Sequence, residues 1–267
     1  MRSRGAALAL FGLAIGTWST LCGIGGGIFA VPLLHYGYGL PLRAAVANSL
    51  ALVAASTTSA SLVEVVRKDT ALHLGVLAVM TASSLAGTRA GYFVAARIRG
   101  RTLKGIFCAL LVVVGIKVLV GAAPDGTATS LQPGLAFTPV EYAGVAAVGA
   151  VAGFVAPLLG IGGGLIAVPG LWMGLPQLGF ASARACSTGM STFNAWQSLW
   201  LYRRDRLFDA STAIPLAAGS VLGGVAGDLL IHEPAVVVFA QRLLAVTLLL
   251  TAGRFAWDLS SRSGDQA

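Results

Sequence analysis

Charge is what this sequence has least of. Asp, Glu, Lys and Arg make up 10% of the 267 residues against 56% hydrophobic ones, too little polar surface for a water-soluble fold of that length. A metal or redox framework is missing as well. Cys22, Cys108 and Cys186 lie in or beside apolar segments without CxxC spacing, which excludes a disulfide scaffold, a zinc site and a dithiol centre and reads as single buried thiols. His35, His73 and His232 show no ligand spacing and read as interfacial. No GxGxxG or GKS follows a strand pattern, so nucleotide-phosphate loops are excluded and no cofactor is expected. A small-x-small cleavage site is also lacking after Met1-Arg2-Ser3-Arg4 and the apolar stretch from Gly5 to about Leu21. That stretch reads as a retained helix.

Long apolar runs recur from end to end, several of them reaching the roughly 20 residues that a spanning helix needs. The net charge of +8 does not point to nucleic acid, because the basic residues sit at the ends of apolar runs rather than on an aromatic-studded polar face. Lipid is the solvent this composition fits. Trp18, Trp172, Trp196, Trp200 and Trp257 read as packing residues or interface anchors.

The sequence then repeats itself. Gly23-Ile24-Gly25-Gly26-Gly27-Ile28-Phe29-Ala30-Val31-Pro32 returns as Gly160-Ile161-Gly162-Gly163-Gly164-Leu165-Ile166-Ala167-Val168-Pro169. Ala45 to Ser49 (AVANS) matches Ala183 to Ser187 (ARACS), and Gly87 with Gly91 matches Gly223 with Gly227. Each half reads as an apolar segment interrupted by glycines and followed by three helices, over roughly 43–66, 70–96 and 102–122 and then 182–202, 209–231 and 234–257. Two membrane repeats follow, 1–122 and 139–267, joined by a Pro- and Gly-bearing linker at 123–138.

Basic residues decide whether the interrupted segment crosses or returns. If it returns, one face collects Arg2, Arg4, Arg43, Arg97, Arg99, Arg101, Lys104, Arg203, Arg204, Arg206, Arg254 and Arg262, and the other only Arg67, Lys68 and Arg184. If it crosses, the split falls to nine against six. The larger bias favours return, with both termini cytoplasmic in the plasma membrane. Three crossings per half is an odd number, so the expected fold is an all-α polytopic membrane protein of two inverted repeats, each a re-entrant glycine-motif helix plus three transmembrane helices.

Consecutive glycines break a helix and expose backbone N–H groups, and with the positive end of the following helix these suit an anion. The alternative, close helix packing alone, is common in membranes. It loses ground here because the whole five-residue pattern, four of its residues glycine, occurs twice with its Val-Pro ending. Gly25, Gly26 and Gly27 with Gly162, Gly163 and Gly164 are therefore the expected substrate loops. Asn48, Ser49, Cys186, Ser187 and Thr188, a few residues into the following helices, are the expected neutral lining, with interhelical hydrogen bonding as the competing role. Arg89, between Gly87 and Gly91, is an intramembrane cation by position. It reads equally as an anion contact or as a structural partner of Glu64 or Asp228. Lys117 and Arg242 sit nearer helix ends and read as snorkelling, while Asn194 and Gln197, three apart, read as pathway lining or helix-to-helix bonding.

At the twin GxGGGxxxVP segments, the elements ending at Ser49 and Ser187 and the two glycine pairs, the chain resembles the sulfite exporter TauE/SafE family, also called the toluenesulfonate uptake permease family. The resemblance covers nearly the whole chain. It implies an inverted-repeat fold and transport of sulfite, sulfonates, sulfoacetate or related organosulfur anions across the plasma membrane, with substrate and direction varying among members. Asn48-Ser49 stands where Thr-Ser is the commonest wording, and Cys186-Ser187-Thr188 is the second copy, which bears on substrate.

An intramembrane serine protease fits poorly, because Gly189-Met190-Ser191-Thr192 lacks the second glycine of GxSG and no mid-span histidine accompanies it; no enzyme is expected. An anion channel, or a carrier of another small carboxylate or oxyanion, remains the alternative function. For an anion leaving a negative interior the potential supplies about 2.3 kcal/mol per charge per 100 mV, so the expected direction is export. The expected partners are the anion, the bilayer and no nucleic acid, with a homodimer left open.

Overall fold

The computed structural model describes residues 2–67, 72–97 and 137–230, with scattered positions between 105 and 116 and between 236 and 257. The helices expected over 102–122 and 234–257, and nearly all of the linker, lie outside the described residues. Described elements are helical, with no strand among them: α1 (Arg2–Cys22), α2 (Gly27–Pro32) running on as a π-helical turn (Leu33–Gly37), α3 (Leu42–Val66), α4 (Leu74–Arg97), α5 (Pro139–Leu159), α6 (Gly164–Gly174), a 3-10 turn (Pro176–Leu178), α7 (Gly179–Arg204) and α8 (Ala210–Leu230). Within α1, α3, α5 and α8 lie stretches long and apolar enough to cross a membrane. The pair α6–α7, bent by 103°, is long and apolar enough only when taken together, as a broken span or a re-entrant loop.

Local chemistry sets the boundaries. Thr138 and Glu141 form a capping box at the start of α5, with Pro139 at the first helical position. At α8 the Asp209 carboxylate accepts from the Ser211 N–H (3.1 Å) and the Thr212 hydroxyl (2.7 Å). The Thr212 and Ser211 hydroxyls hold that carboxyl below its usual range. Left-handed glycines end α1 and α5, at Gly23 (φ 71°) and Gly160 (φ 70°).

The glycine breaks do not divide one span into two equal pieces. A full 21-residue helix precedes each cluster, and only the limb after it is short, 11 residues in each half. Each short limb comes back toward the end from which its hairpin began. The Arg4 guanidinium lies over the Tyr38 ring, 5.1 Å from its centroid, and in the second hairpin Gln177 donates to Glu141 at 2.6 Å.

Small residues bring the long helices together. α1 runs beside α8 in the same direction, Gly5 near Pro215 and Gly227 near Thr17 and Thr20. α4 runs likewise beside α5. The glycine pairs singled out by the repeat occupy these two seams: a Cβ on Gly87 or Gly91 would overlap the Ala150 or Phe154 carbonyl, and one on Gly223 the Leu13 carbonyl. Their role is close helix packing.

Candidate functional site

Three positions in each motif hold positive φ, Gly23, Gly25 and Gly26 in the first and Gly160, Gly162 and Gly163 in the second. Side chains disfavour that region. Gly26 and Gly163 cap α2 and α6 from the left-handed region without a side-chain hydrogen bond. The two loops lie against each other in the buried centre: a Cβ on Gly27 would strike the Gly160 carbonyl, one on Gly164 the Gly23 carbonyl, and one on Gly25 would sit 2.6 Å from the Ile161 oxygen. The Phe29 and Ile166 N–H groups turn back to the Gly26 and Gly163 carbonyls at 3.2 Å, and the positive ends of the two short helices come together where the loops meet.

Each loop is tied down by the opposite half. Ser49 on α3 donates to the Gly160 carbonyl at 3.1 Å, and Ser187 on α7 donates to the Gly23 carbonyl at 3.0 Å. The preceding residues are reciprocal too. Asn48 accepts from the Asp209 N–H (2.9 Å) and donates to the Leu207 carbonyl (3.3 Å), while Cys186 donates to the His73 carbonyl (3.7 Å). Asn48 and Cys186 thus pin the segments that precede α8 and α4, and Thr188 bonds within its own helix to the Arg184 carbonyl. Of the five neutral lining residues expected, only Ser49 and Ser187 touch the glycine motifs through these bonds. Ser49→Ala and Ser187→Ala are each expected to cost about 0.6–1.7 kcal/mol, read as a Tm lowered by roughly 2–6 °C in detergent. Unchanged melting in both would remove the anchoring role.

One turn beyond these serines, Val53 and Ser191 face the loops. The Val53 methyl would lie 3.0 Å from a Cβ on Gly25 and 2.8 Å from one on Gly162, and the Ser191 Cβ lies 3.3 Å from the latter position. The buried Ser191 hydroxyl has no hydrogen-bond partner among the described residues. Two turns beyond, Asn194 donates to the Gly162 carbonyl (3.3 Å) and accepts from Ser84 (2.8 Å). Ser187, Ser191 and Asn194 form an i, i+4, i+7 stripe, a helical face legible in the sequence.

The charged residues fall elsewhere than expected. Arg89 is exposed on α4; its Nε lies 3.3 Å from the Gln197 side chain, whose amide oxygen accepts once oriented to satisfy both neighbours. Glu64 and Asp228 instead meet Arg184, through Arg184 NH2 to Glu64 at 2.9 Å and Arg184 NH1 to Asp228 at 3.0 Å. Arg184, counted in the sequence with the loop cations Arg67 and Lys68, is 1% exposed. Its long side chain bends inward beside Gly23, where a Cβ would lie 2.8 Å from Arg184 Cγ. Two carboxylates at 2% and 1% exposure offset the desolvation of the guanidinium.

The model of the family described as sulfite exporter TauE/SafE matches residues 1–118 and 145–267, most of the chain. The chain belongs to this family. Among curated proteins, this TauE/SafE chain is 31% identical over 117 residues to "Probable membrane transporter protein MamO" of Magnetospirillum gryphiswaldense. It is 29% identical over 117 residues to the protein of the same name from Paramagnetospirillum magneticum. Each alignment takes in 42% of this chain and 18% of the relative, so the matched stretch is under a fifth of those proteins. No solved structure matches. As a TauE/SafE member the chain is a multi-pass membrane transporter.

Proposed function

We propose that the protein is a secondary carrier for a small sulfur-containing anion, sulfite or a sulfonate, bound between the two glycine loops. The observation that carries this is the meeting of the loops: two helix N-termini without side-chain caps, Gly26–Gly27 and Gly163–Gly164, packed together in the buried centre, where converging backbone donors attract a negative charge. The Ser191 hydroxyl, buried beside Gly162 with no partner among the described residues, is a neutral donor that holds an oxyanion and lets it go. Gly25, Gly26, Gly162 and Gly163 line the site with Ser191 and Asn194. Arg89, exposed beside Gln197, acts outside it.

The halves work as inverted repeats in this reading. The parallel pairing of α1 with α8 and of α4 with α5 supports it, as do the reciprocal bonds of Ser49 and Ser187. Arg4, Arg43 and Arg204 share one end with Asp205 and Asp209, which supports a cytoplasmic face there and cytoplasmic termini in the plasma membrane. An anion moving alone leaves the cell down the membrane potential.

Counterflow tests the reading. Liposomes preloaded with unlabelled methanesulfonate or sulfite are expected to take up the labelled anion transiently and saturably, with acetate and other simple carboxylates competing poorly. Linear, non-saturating flux would overturn the carrier, and preferential competition by carboxylates would overturn the substrate class.

A further inference from the structure

The repeat makes Val53 and Ser191 equivalent, since each stands four residues after the serine that anchors a glycine loop, Ser49 on α3 and Ser187 on α7. Both are 0% exposed. They also flank the same spot: a Cβ on Gly162 would lie 2.8 Å from the Val53 Cγ1 methyl and 3.3 Å from the Ser191 Cβ. The same Val53 methyl would lie 3.0 Å from a Cβ on Gly25, so it reaches both loops where they meet. One of two equivalent positions is therefore a hydrocarbon and the other a hydroxyl.

The asymmetry continues along both helices. Beyond Ser191, α7 places Asn194 on the Gly162 carbonyl at 3.3 Å and then Ser198, whose buried hydroxyl, like that of Ser191, has no partner among the described residues. On α3 the counterpart of Ser198 is Ala60. Ser56, the counterpart of Asn194, donates to the Val53 carbonyl of its own helix at 3.2 Å. Turning back in this way is an ordinary means of satisfying a hydroxyl inside a helix. Thr57 does so on α3, and Thr188 and Thr192 do so on α7. Ser191 stands between those two threonines and does not. A buried hydroxyl without a partner is costly, so one left beside the positive end of α6 marks a place for an acceptor from outside the chain.

We propose that Val53 and Ser191 set the specificity of the anion site, Ser191 by holding an oxyanion head and Val53 by presenting a surface that only an apolar substituent covers well. An oxygen turned toward Val53 loses its water and gains no donor. A methyl group placed there loses nothing. The site then selects an anion with oxygens on one side and carbon on the other over one without carbon. This rests on the carrier reading above and decides between its two candidates, an alkyl sulfonate over sulfite.

Competition in counterflow tests the pair. Proteoliposomes exchanging labelled methanesulfonate are held at mildly acid pH, where sulfite is mostly hydrogensulfite and carries a single charge like methanesulfonate. Half-inhibition by unlabelled sulfite is expected to need at least about tenfold more than half-inhibition by unlabelled methanesulfonate. Val53→Thr keeps the shape and adds a hydroxyl, and Val53→Ala removes the surface. In both, the two concentrations are expected to come within about threefold of each other. Ser191→Ala is expected to weaken both anions by about tenfold and to keep their ratio. A merely structural role for Val53 would lower flux and leave the ratio where it was. Sulfite competing as well as methanesulfonate in the wild type, or a ratio unchanged in both Val53 variants, overturns the pair and leaves the carrier standing. Failure of the wild type to exchange either anion overturns the carrier reading, and melting of the detergent-purified protein then decides the pair. Methanesulfonate is expected to raise the wild-type Tm more than sulfite does at equal concentration, a difference that Val53→Ala removes. Equal shifts, or none, overturn the pair as well.

Discussion

Gly25→Val and Gly162→Val, reconstituted into liposomes, are expected to reduce anion flux to the level of empty vesicles while both proteins still insert and purify as folded helical species. At both positions φ is strongly positive, 80° and 75°, a region that costs a β-branched residue of order 1–3 kcal/mol. Space adds to the strain. A Cβ at Gly25 would lie 2.6 Å from the Ile161 oxygen, and one at Gly162 would lie 2.8 Å from the Val53 methyl. The loops must separate to accept the larger side chain, and the converging N–H groups move apart with them. Transport retained in both variants would mean that the anion passes elsewhere.

Arg184→Ala is expected to be the most damaging single change to stability. It leaves Glu64 and Asp228 buried without their shared cation, and breaking a buried pair in this way costs about 3–5 kcal/mol, which corresponds to a Tm lowered by roughly 6–20 °C. Replacing all three residues, Arg184→Met with Glu64→Gln and Asp228→Asn, is expected to recover most of the loss because no unpaired charge remains. If Arg184→Ala melts like the wild type, the triad carries little of the fold's stability.

The glycine loops were legible in the sequence because their chemistry is local. A doubled run of glycines ending in Val-Pro announces a break, and the break forms where it was expected in both halves. Ser49 and Ser187 were legible for the same reason, since small-residue-plus-Ser elements at matching offsets mark equivalent turns. Long-range pairing was not legible. Arg184 stands two residues after Ser182, where the expected helix began, and a cation at a helix start ordinarily faces water. Its partners lie 120 and 44 residues away, and no local pattern states which base two distant acids will meet. Arg89 looked better placed because its flanking glycines signalled close packing. Those glycines face α5, and the arginine points away from that seam. Asn48 shows the same limit, its amide being spent on the segment before α8, 159 to 161 residues further along.

The reciprocal serine bonds also govern how the protein can be made. Gly23 and Ser187 are 164 residues apart. At about 5–20 residues per second of synthesis, the first hairpin waits roughly 8–33 seconds before the hydroxyl that holds its carbonyl leaves the ribosome. During that interval a left-handed, donor-rich turn has no counterpart in the bilayer. The first half is therefore an incomplete intermediate that the insertion machinery must shelter until the second half arrives, and the two halves, expressed as separate fragments, should be stable only when produced together.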